Sequence, residues 1–186
     1  MALNNNALLH PANGRVLIGT VGTAVMPSQT AIDAFVTSGT AITGFSDIGY
    51  TSSETLPDFT QDGGDITSYN TWQASGVKTS VEAITNTVVV AVNQLDEVTL
   101  PLYYGGGTVI DGSYAAPVTP VTQSRALLII FIGSRNVAFY AYQAAVIRSD
   151  APSLSTDSLA EFPLGFTIET VAGHAPFNWI SPEINA

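Results

Sequence analysis

The sequence contains no cysteine, few basic residues and no long apolar run. Without cysteine, the 186-residue chain has no disulfide, no thiolate metal ligand and no cysteine nucleophile. Its five lysine and arginine residues form no cluster, which argues against tight electrostatic binding to a DNA or RNA backbone. No apolar run approaches the roughly 20 residues of a membrane-spanning helix, and the N-terminus lacks the charged start of a signal peptide. We therefore expect no membrane segment.

Charge is scarce and one-sided. Only 11% of the residues are charged, against roughly 25% in an ordinary soluble domain. Fifteen acidic residues outnumber five basic ones, giving a net charge of -10, and 46% of the residues are hydrophobic. A surface so poor in charge is typical of a chain that assembles with partners, although a monomer coated with serine, threonine and asparagine explains the composition equally well.

Strand-like patterns dominate from residue 44 onward. The run TVVVAVNQL (87–95) is continuously apolar and β-branched, which is typical of a strand covered on both faces. In FPLGFTIET, apolar side chains at 162, 164, 166 and 168 alternate with the rest. Seven to nine such strands, separated by turn signals, predict a mainly β protein, either a sandwich of two antiparallel sheets or a barrel. We expect one domain at 15–175, with an N-terminal arm at 1–14 and a C-terminal arm at 176–186.

Two segments carry helix signals. In MPSQTAIDAFVTSG, Ser28 is a possible N-cap and Gly39 a possible stop, so this segment is a short helix or a loop. In DEVTLPLYYGGG, Asp96 is a good N-cap and the glycines at 105–107 are a stop. A short helix is predicted there, although Pro101 lies too deep for an ideal helix that starts at Asp96.

No pattern of catalytic or metal-binding residues is present. His10 and His174 lie near the termini, and we expect both to be ordinary exposed side chains. Asp58, Asp62 and Asp65 are close together in DFTQDGGD, but their spacing is not that of a calcium loop, and a solvated turn is expected. The sequence contains no GxSxG, HExxH or P-loop motif. We therefore predict no catalytic residue, no metal and no cofactor, and a protein that is not an enzyme.

Two runs in the first half of the chain carry a family resemblance, GFSDIGYTSSETLPDF and ITSYNTWQASGVKTSVEAITNTVVVAVNQLDEVTLPLYYGGG. They resemble the major tail tube protein of long, flexible-tailed bacteriophages, particularly those of actinobacterial hosts. The matching features are a Gly-Phe pair at 44–45, DIGY at 47–50, Trp72-Gln73, VKT at 77–79, and a leucine-containing helix closed by glycines. The opening GRVLIGTVGTAVMP and the final strands are also similar, so the resemblance covers most of the chain. SSETLPD departs from the family by lacking its acidic-glycine turn.

The resemblance implies a fold and an assembly. The fold is a sandwich of two antiparallel sheets flanked by one short helix, with extended arms and loops. Six copies form a ring, their inner strands pair into one barrel, and rings stack into a hollow tube bridged by loops and arms. The implied partners are other copies of the chain, the tape-measure protein, the tail terminator and distal tail or baseplate proteins. The implied location is the virion tail, after synthesis in the cytoplasm of the host bacterium.

The implied tube gives the acidity a use. DNA passing through an acidic lining is repelled within a Debye length, about 8 Å at physiological salt, so it slides without tight binding. The expected lumen-facing acids are Asp58, Asp62, Asp65 and Glu82. The expected self-assembly residues are Leu8, Leu9, Phe45, Tyr50, Pro57, Phe59, Trp72 and Trp179.

Two other interpretations are open from the sequence. The first is a monomeric or small-oligomer β-sandwich module that binds carbohydrate or a surface through exposed aromatic residues. Its candidates are Tyr103, Tyr104, Tyr140 and Tyr142, although these lie within runs that look like core. The second is a relative that shares the fold, such as a tail terminator or the tube of an injection system.

Overall fold

The computed structural model describes residues 4–184 and consists mainly of antiparallel strands. A 3-10 turn, Asn5–Ala7, precedes the first strand. The strands are β1 (Asn13–Gly19), β2 (Phe45–Asp47), β3 (Asp58–Gly63), β4 (Ile66–Tyr69), β5 (Lys78–Val81), β6 (Ile84–Val92), β7 (Thr108–Ile110), β8 (Ser113–Ala115), β9 (Gln123–Ile132), β10 (Val137–Arg148), β11 (Phe162–Ile168) and β12 (Phe177–Ile180). The helices are α1 (Gln29–Ser38) and α2 (Thr99–Tyr104).

Eight strands form one sheet that folds over on itself. Its order is β2-β1-β9-β10-β11-β6-β3, with β12 also paired to β10. Along a flat sheet, β3 and β9 would lie about 19 Å apart, at roughly 4.8 Å per strand. The rings of Phe59 on β3 and Phe131 on β9 are instead 6.3 Å apart. The two halves of the sheet therefore face each other, which confirms the predicted mainly β sandwich.

The chain after β2 joins the two halves. Ile48 donates its N–H to the carbonyl of Val16 on β1, at 3.0 Å. A few residues later, the N–H of Ser52 donates to the carbonyl of Ala91 on β6, at 2.9 Å. One short segment therefore hydrogen-bonds to β1 and then to β6, which lie at opposite sides of the folded sheet.

The main core lies between the two halves of the sheet. The alternation predicted for the strand at 162–168 is confirmed, because its four alternating apolar side chains are all buried. Their neighbours come from β1, β6, β9, β10 and α2. The cluster includes Val90, Leu102, Tyr103, Leu127, Ile129, Phe139, Phe162, Leu164 and Phe166.

Helix α1 covers a second, smaller core on the outer face of β1, β9 and β10. Ile32 is fully buried there, and Phe35 and Val36 pack beside it. The Ser28 hydroxyl accepts the Ala31 N–H at 3.3 Å, and Gly39 ends the helix in the left-handed conformation. Of the two predicted alternatives for this segment, the helix is the one observed.

Helix α2 begins later than the sequence predicted. One carboxylate oxygen of Asp96 accepts the N–H groups of Val98 and Thr99, each at 2.9 Å. Burial works to raise the pKa of Asp96, but these hydrogen bonds, with those from the Gln94 and Thr99 side chains, hold it below its ordinary value. Because the helix starts at Thr99, Pro101 lies in the first turn, where backbone N–H groups have no helical acceptor. The prediction that Pro101 lies too deep was wrong, and residues 4–184 contain two α-helices, one more than the resemblance implied.

The described parts of both predicted arms contact the folded body. Within the predicted C-terminal arm, 176–186, β12 pairs with β10 from Phe177↔Ala141 to Ile180↔Ala138, so this part belongs to the main sheet. In the predicted N-terminal arm, the side-chain amide of Asn4 donates to Glu183 at 3.0 Å. The outermost parts of both predicted arms, 1–3 and 185–186, lie outside the described residues. Neither described helix has the length and apolar character of a membrane span.

Candidate assembly surface

Two strands extend beyond the body as a long hairpin, which we call the ribbon (residues 58–85). Strand β3 pairs with the first half of β6, from Asp58↔Val89 to Gly63↔Ile84. The pairing then continues through the Glu82 N–H, which donates to the Asp65 carbonyl at 3.0 Å, into the β4–β5 pair. All ribbon residues are exposed except Gly64, which is half-buried. Beyond its base at Phe59, the ribbon is therefore two strands wide with no layer of its own subunit covering it.

The ribbon carries large apolar side chains in the open. Trp72 in the connecting tip is completely exposed. The others are Ile66, Tyr69, Val77, Val81 and Ile84, each half or more exposed. An isolated two-stranded hairpin is only marginally stable in water, and free strand edges pair readily with other chains. Exposed apolar patches of this kind mark partner surfaces.

The base of the ribbon is anchored by an aromatic cluster. The ring of Phe59 lies 5.0 Å from that of Phe139, 5.8 Å from that of Trp179 and 6.3 Å from that of Phe131. Just beyond this anchor, Gly63 and its neighbour Gly64 both have positive φ, near 80°. A Cβ on Gly63 would come within 2.2 Å of the Ala83 carbonyl oxygen. Glycine is therefore required where the ribbon leaves the body.

The four predicted lumen acids all lie on the ribbon and are exposed. Asp58 and Asp62 alternate with Phe59 along β3, so they project from the face opposite the aromatic cluster. Asp65 and Glu82 lie across from each other between the two strand pairs. The structure thus places these acids together, and their orientation toward a passage remains a prediction. Lys78, near the tip, is the ribbon's single basic residue.

The predicted self-assembly residues lie in different places. Trp72 is at the ribbon tip, and Phe59 and Trp179 are in the cluster at its base. Phe45 is buried in the subunit, where its ring packs edge-on against Tyr140 at 6.2 Å, so it has no face to offer a second chain. Tyr50 and Leu8 are about three-quarters exposed. Leu9 is also exposed, and Pro57 is half-buried.

Sequence reasoning missed most of the ribbon's apolar residues. Ile66 and Tyr69 lie on β4, and Ile84 begins β6. The alternation of VKTSVEA (77–83) does indicate that Val77 and Val81 lie on one face of a strand. The missing information was that no second layer of the same chain lies over that face.

The tyrosines of the alternative binding-module interpretation form no exposed platform. Tyr103 and Tyr140 are buried, and their hydroxyls donate to the backbone carbonyls of Asp150 and Ala24, at 2.5 and 3.0 Å. Burial raises the pKa of both hydroxyls. The half-buried Tyr142 is stacked by the exposed His174, with ring centroids 3.7 Å apart. Half-buried Tyr104 packs edge-on against Tyr103.

Titratable groups with shifted pKa values serve structural roles. Asp96 forms the helix cap, and Tyr103, Tyr114 and Tyr140 have pKa values raised first of all by burial. Across residues 4–184, no three histidine or carboxylate side chains are grouped so that they could hold a metal ion. The distinguishing feature of the described residues is the exposed apolar surface of the ribbon.

Comparison with known proteins assigns the chain to a family. The whole chain, residues 1–186, matches the family model for phage tail tube proteins, and it therefore belongs to that family of structural virion tail proteins, which is not an enzyme family. Its relatives include the major tail protein Gp23 of Mycobacterium phage D29, 33% identical over 190 aligned residues, with 99% of this chain and 96% of the relative covered. The major tail protein Gp23 of Mycobacterium phage L5 is 32% identical with the same coverage. The resemblance predicted from the residues is confirmed.

Proposed function

We propose that six copies of this chain form a ring, and that stacked rings form a hollow tail tube through which genome DNA passes into the host. The observation that carries the proposal is the ribbon. Beyond its base at Phe59, the ribbon holds six large apolar side chains exposed and has two unpaired strand edges, which nothing in residues 4–184 covers. Neighbouring copies supply what the subunit lacks.

Ring closure supplies partners for the unpaired strand edges of the ribbon. The outer edge of β3 has no partner strand within the described chain, because β3 ends the sheet order. An open edge of this kind promotes uncontrolled association, and a barrel closed by several chains removes it. Ribbons from neighbouring subunits that pair side by side satisfy these backbone groups and cover the exposed apolar side chains.

The acidic residues of the ribbon explain how DNA passes through the tube without binding to its lining. A ring of six carries about six times the subunit's net charge of -10. Asp58, Asp62, Asp65 and Glu82, exposed together on the ribbon, face the lumen in this proposal. DNA is repelled by such a lining, whereas lysine or arginine at the same positions would bind its phosphates.

The proposal also assigns the chain its partners in the tail and its site of synthesis. Within the tail, the chain surrounds the tape-measure protein and meets a terminator at one end and distal tail or baseplate proteins at the other. The host bacterial cytoplasm is where the chain is made and assembled. These assignments follow from the family resemblance and from the self-association surface.

Assembly is tested by shortening the ribbon. A variant in which an Asn-Gly turn replaces residues 66–81 keeps the anchored base and loses the exposed tip. The wild-type chain should form rings or tubes by negative-stain electron microscopy, and the shortened chain should stay monomeric by sedimentation velocity with an unchanged thermal melt. A wild-type chain that stays monomeric at high concentration, or a shortened chain that still forms tubes, would contradict the proposal.

The lumen assignment is tested with tubes that remain intact. We expect the pair Asp62→Lys and Asp65→Lys to retain DNA within the tube and to slow genome ejection in an infection assay, because lysine binds phosphates in a salt-dependent way. The matched pair Asp62→Asn and Asp65→Asn removes charge without reversing it and should have a smaller effect. Ejection at the wild-type rate from both variants would exclude these residues from the lumen.

A further inference from the structure

Two exposed surfaces lie beyond opposite ends of β6. The ribbon continues from the Ile84 end, and its tip lies about 23 Å further along, because the extended chain takes seven residue steps from Ile84 to Val77. A cleft of about 140 Å³ lies beyond the Val92 end. We call it the Glu54 cleft, and it is lined by Tyr50, Ser53, Glu54, Asn93, Leu159 and Glu161.

The Glu54 cleft is held open by internal hydrogen bonds. The Ser52 hydroxyl accepts the N–H groups of Glu54 and Thr55, each at 3.0 Å, and itself donates to Glu161. The Thr55 hydroxyl donates to the other Glu161 oxygen at 3.0 Å. Both carboxylate oxygens of Glu161 therefore accept hydrogen bonds within the subunit. The carboxylate of Glu54 is exposed and, within residues 4–184, makes no hydrogen bond or ion pair.

Apolar side chains surround the Glu54 cleft as they do the ribbon tip. Tyr50, Leu56, Leu154 and Leu159 are all more than 60% exposed at this end of the molecule. The tip presents Tyr69, Trp72 and Val77. Each surface therefore offers aromatic and aliphatic groups that are stabilised by removal from water.

The two surfaces carry opposite charge. Residues 66–81 contain one charged side chain, Lys78, which has no ion pair among the described residues. The segments around the cleft, 50–57 and 153–161, contain Glu54, Asp157 and Glu161 and no lysine or arginine. The ribbon tip thus presents an unpaired lysine between apolar groups, and the Glu54 cleft presents an unpaired glutamate between apolar groups.

We propose that the ribbon tip of one copy docks in the Glu54 cleft of a second copy, with Lys78 paired to Glu54 and the tip's apolar groups against Tyr50 and Leu159. This inference rests on the proposed self-assembly and names the receiving surface. The two surfaces differ and lie at opposite ends of β6, so the contact is head-to-tail and leaves each copy with a free tip or a free cleft. Such a heterologous contact repeats without limit, as stacking along a tube axis requires.

Cysteine cross-linking tests the contact, because the native chain has no cysteine. One preparation carries Val77→Cys at the tip and a second carries Ser53→Cys in the cleft. Disulfides form only when Cα atoms come within roughly 7 Å. Mixing the two and oxidising under assembly conditions should give a heterodimer band on a non-reducing gel. Val77→Cys mixed with Thr37→Cys, on the exposed side of α1, is the matched control and should give none.

A charge exchange tests the ion pair. We expect Lys78→Glu to raise the protein concentration needed for assembly about tenfold, since it places like charges at the contact. Adding Glu54→Lys should restore most of the loss. Adding Glu82→Lys restores the same net charge outside the cleft and should not. Thermal melts of all three variants should match the wild type.

The outcomes separate this inference from the proposed function. Tubes from the wild-type chain, with the predicted cross-link and rescue by Glu54→Lys alone, support the docking. Tubes without the Val77–Ser53 cross-link, or equal rescue by Glu82→Lys, overturn the docking and leave the tube intact. A wild-type chain that never assembles overturns both.

Discussion

The body and the ribbon use similar strands in opposite ways. In β9, five consecutive residues, Ala126–Ile130, are essentially inaccessible to solvent because layers of the same chain cover both faces. In β4 and β5 every residue is exposed, although these strands also carry isoleucine, tyrosine and valine. The comparison shows that an apolar strand is stabilised by whatever covers it. For the body that is the subunit, and for the ribbon we propose that it is the neighbouring subunits.

The largest effect on subunit stability is expected in the body. Phe166 is fully buried between the sheet halves, so Phe166→Ala should lower the free energy of unfolding by about 3–5 kcal/mol through lost burial and a residual cavity. Denaturant unfolding of the free subunit measures this change. A loss below about 1 kcal/mol would show that the sandwich interior is not the stabilising core.

The matched change in the ribbon should act on assembly alone. Trp72 is fully exposed, so Trp72→Ala should change the unfolding free energy by less than about 0.5 kcal/mol. Buried aromatic anchors in interfaces contribute about 2 kcal/mol or more, so the concentration needed for assembly should rise at least about tenfold. Light scattering against concentration measures this rise. Unchanged assembly, or a destabilised monomer, would remove the distinction between the two regions.

A smaller effect is expected at the cap of α2. Asp96→Ala removes the acceptor for the Val98 and Thr99 N–H groups and should cost about 1 kcal/mol, whereas Asp96→Asn keeps an acceptor and should cost a few tenths. Because the pKa of Asp96 is lowered in the folded state, its contribution is complete above the ordinary value of 3.8 and is lost as the pH falls through the lowered pKa.

Urea unfolding at several pH values measures the Asp96 effect. The wild-type chain should lose more stability than Asp96→Asn between pH 5 and about pH 2. Equal losses in the two proteins would show that this carboxylate is not favoured by folding.

A small effect on the subunit is also expected at the N-terminus. Deleting residues 1–12 removes exposed hydrogen bonds such as that from Asn4 to Glu183 and should cost less than about 1 kcal/mol, while ring stacking weakens more. Calorimetry of the free subunit and electron microscopy of assembled rings measure the two effects, with Asn4→Ala as the single-contact control. An unfolded deletion variant would show that this segment is part of the core.

Local signals predicted most of the body. Ser28 and Gly39 marked both ends of α1, and alternation marked the buried face of β11, because caps and pleats are set by residues near in sequence. The N-cap of α2 was predicted two residues too early, at Asp96 instead of Val98, since Asp96 accepts from the helix without being its first flanking residue. The sequence predicts an arm where β12 pairs with β10, because a strand of four residues carries no distinctive pattern.

The assembly surface was only partly visible in the sequence. Trp72 and the four acids were singled out, and they lie on one ribbon. Phe45 was grouped with them, but α1 covers its part of the sheet and buries it. Whether an apolar side chain meets its own chain or another depends on which layers lie over it, and that is decided by contacts between distant segments.

Hydrogen–deuterium exchange of residues 58–85, compared between the free subunit and the assembled tube, tests the central claim most directly. We expect fast exchange of ribbon amides in the free subunit, strong protection in the tube, and slow exchange of β9 in both states. Ribbon amides that exchange equally fast in tube and free subunit would contradict the claim that neighbouring copies cover the ribbon.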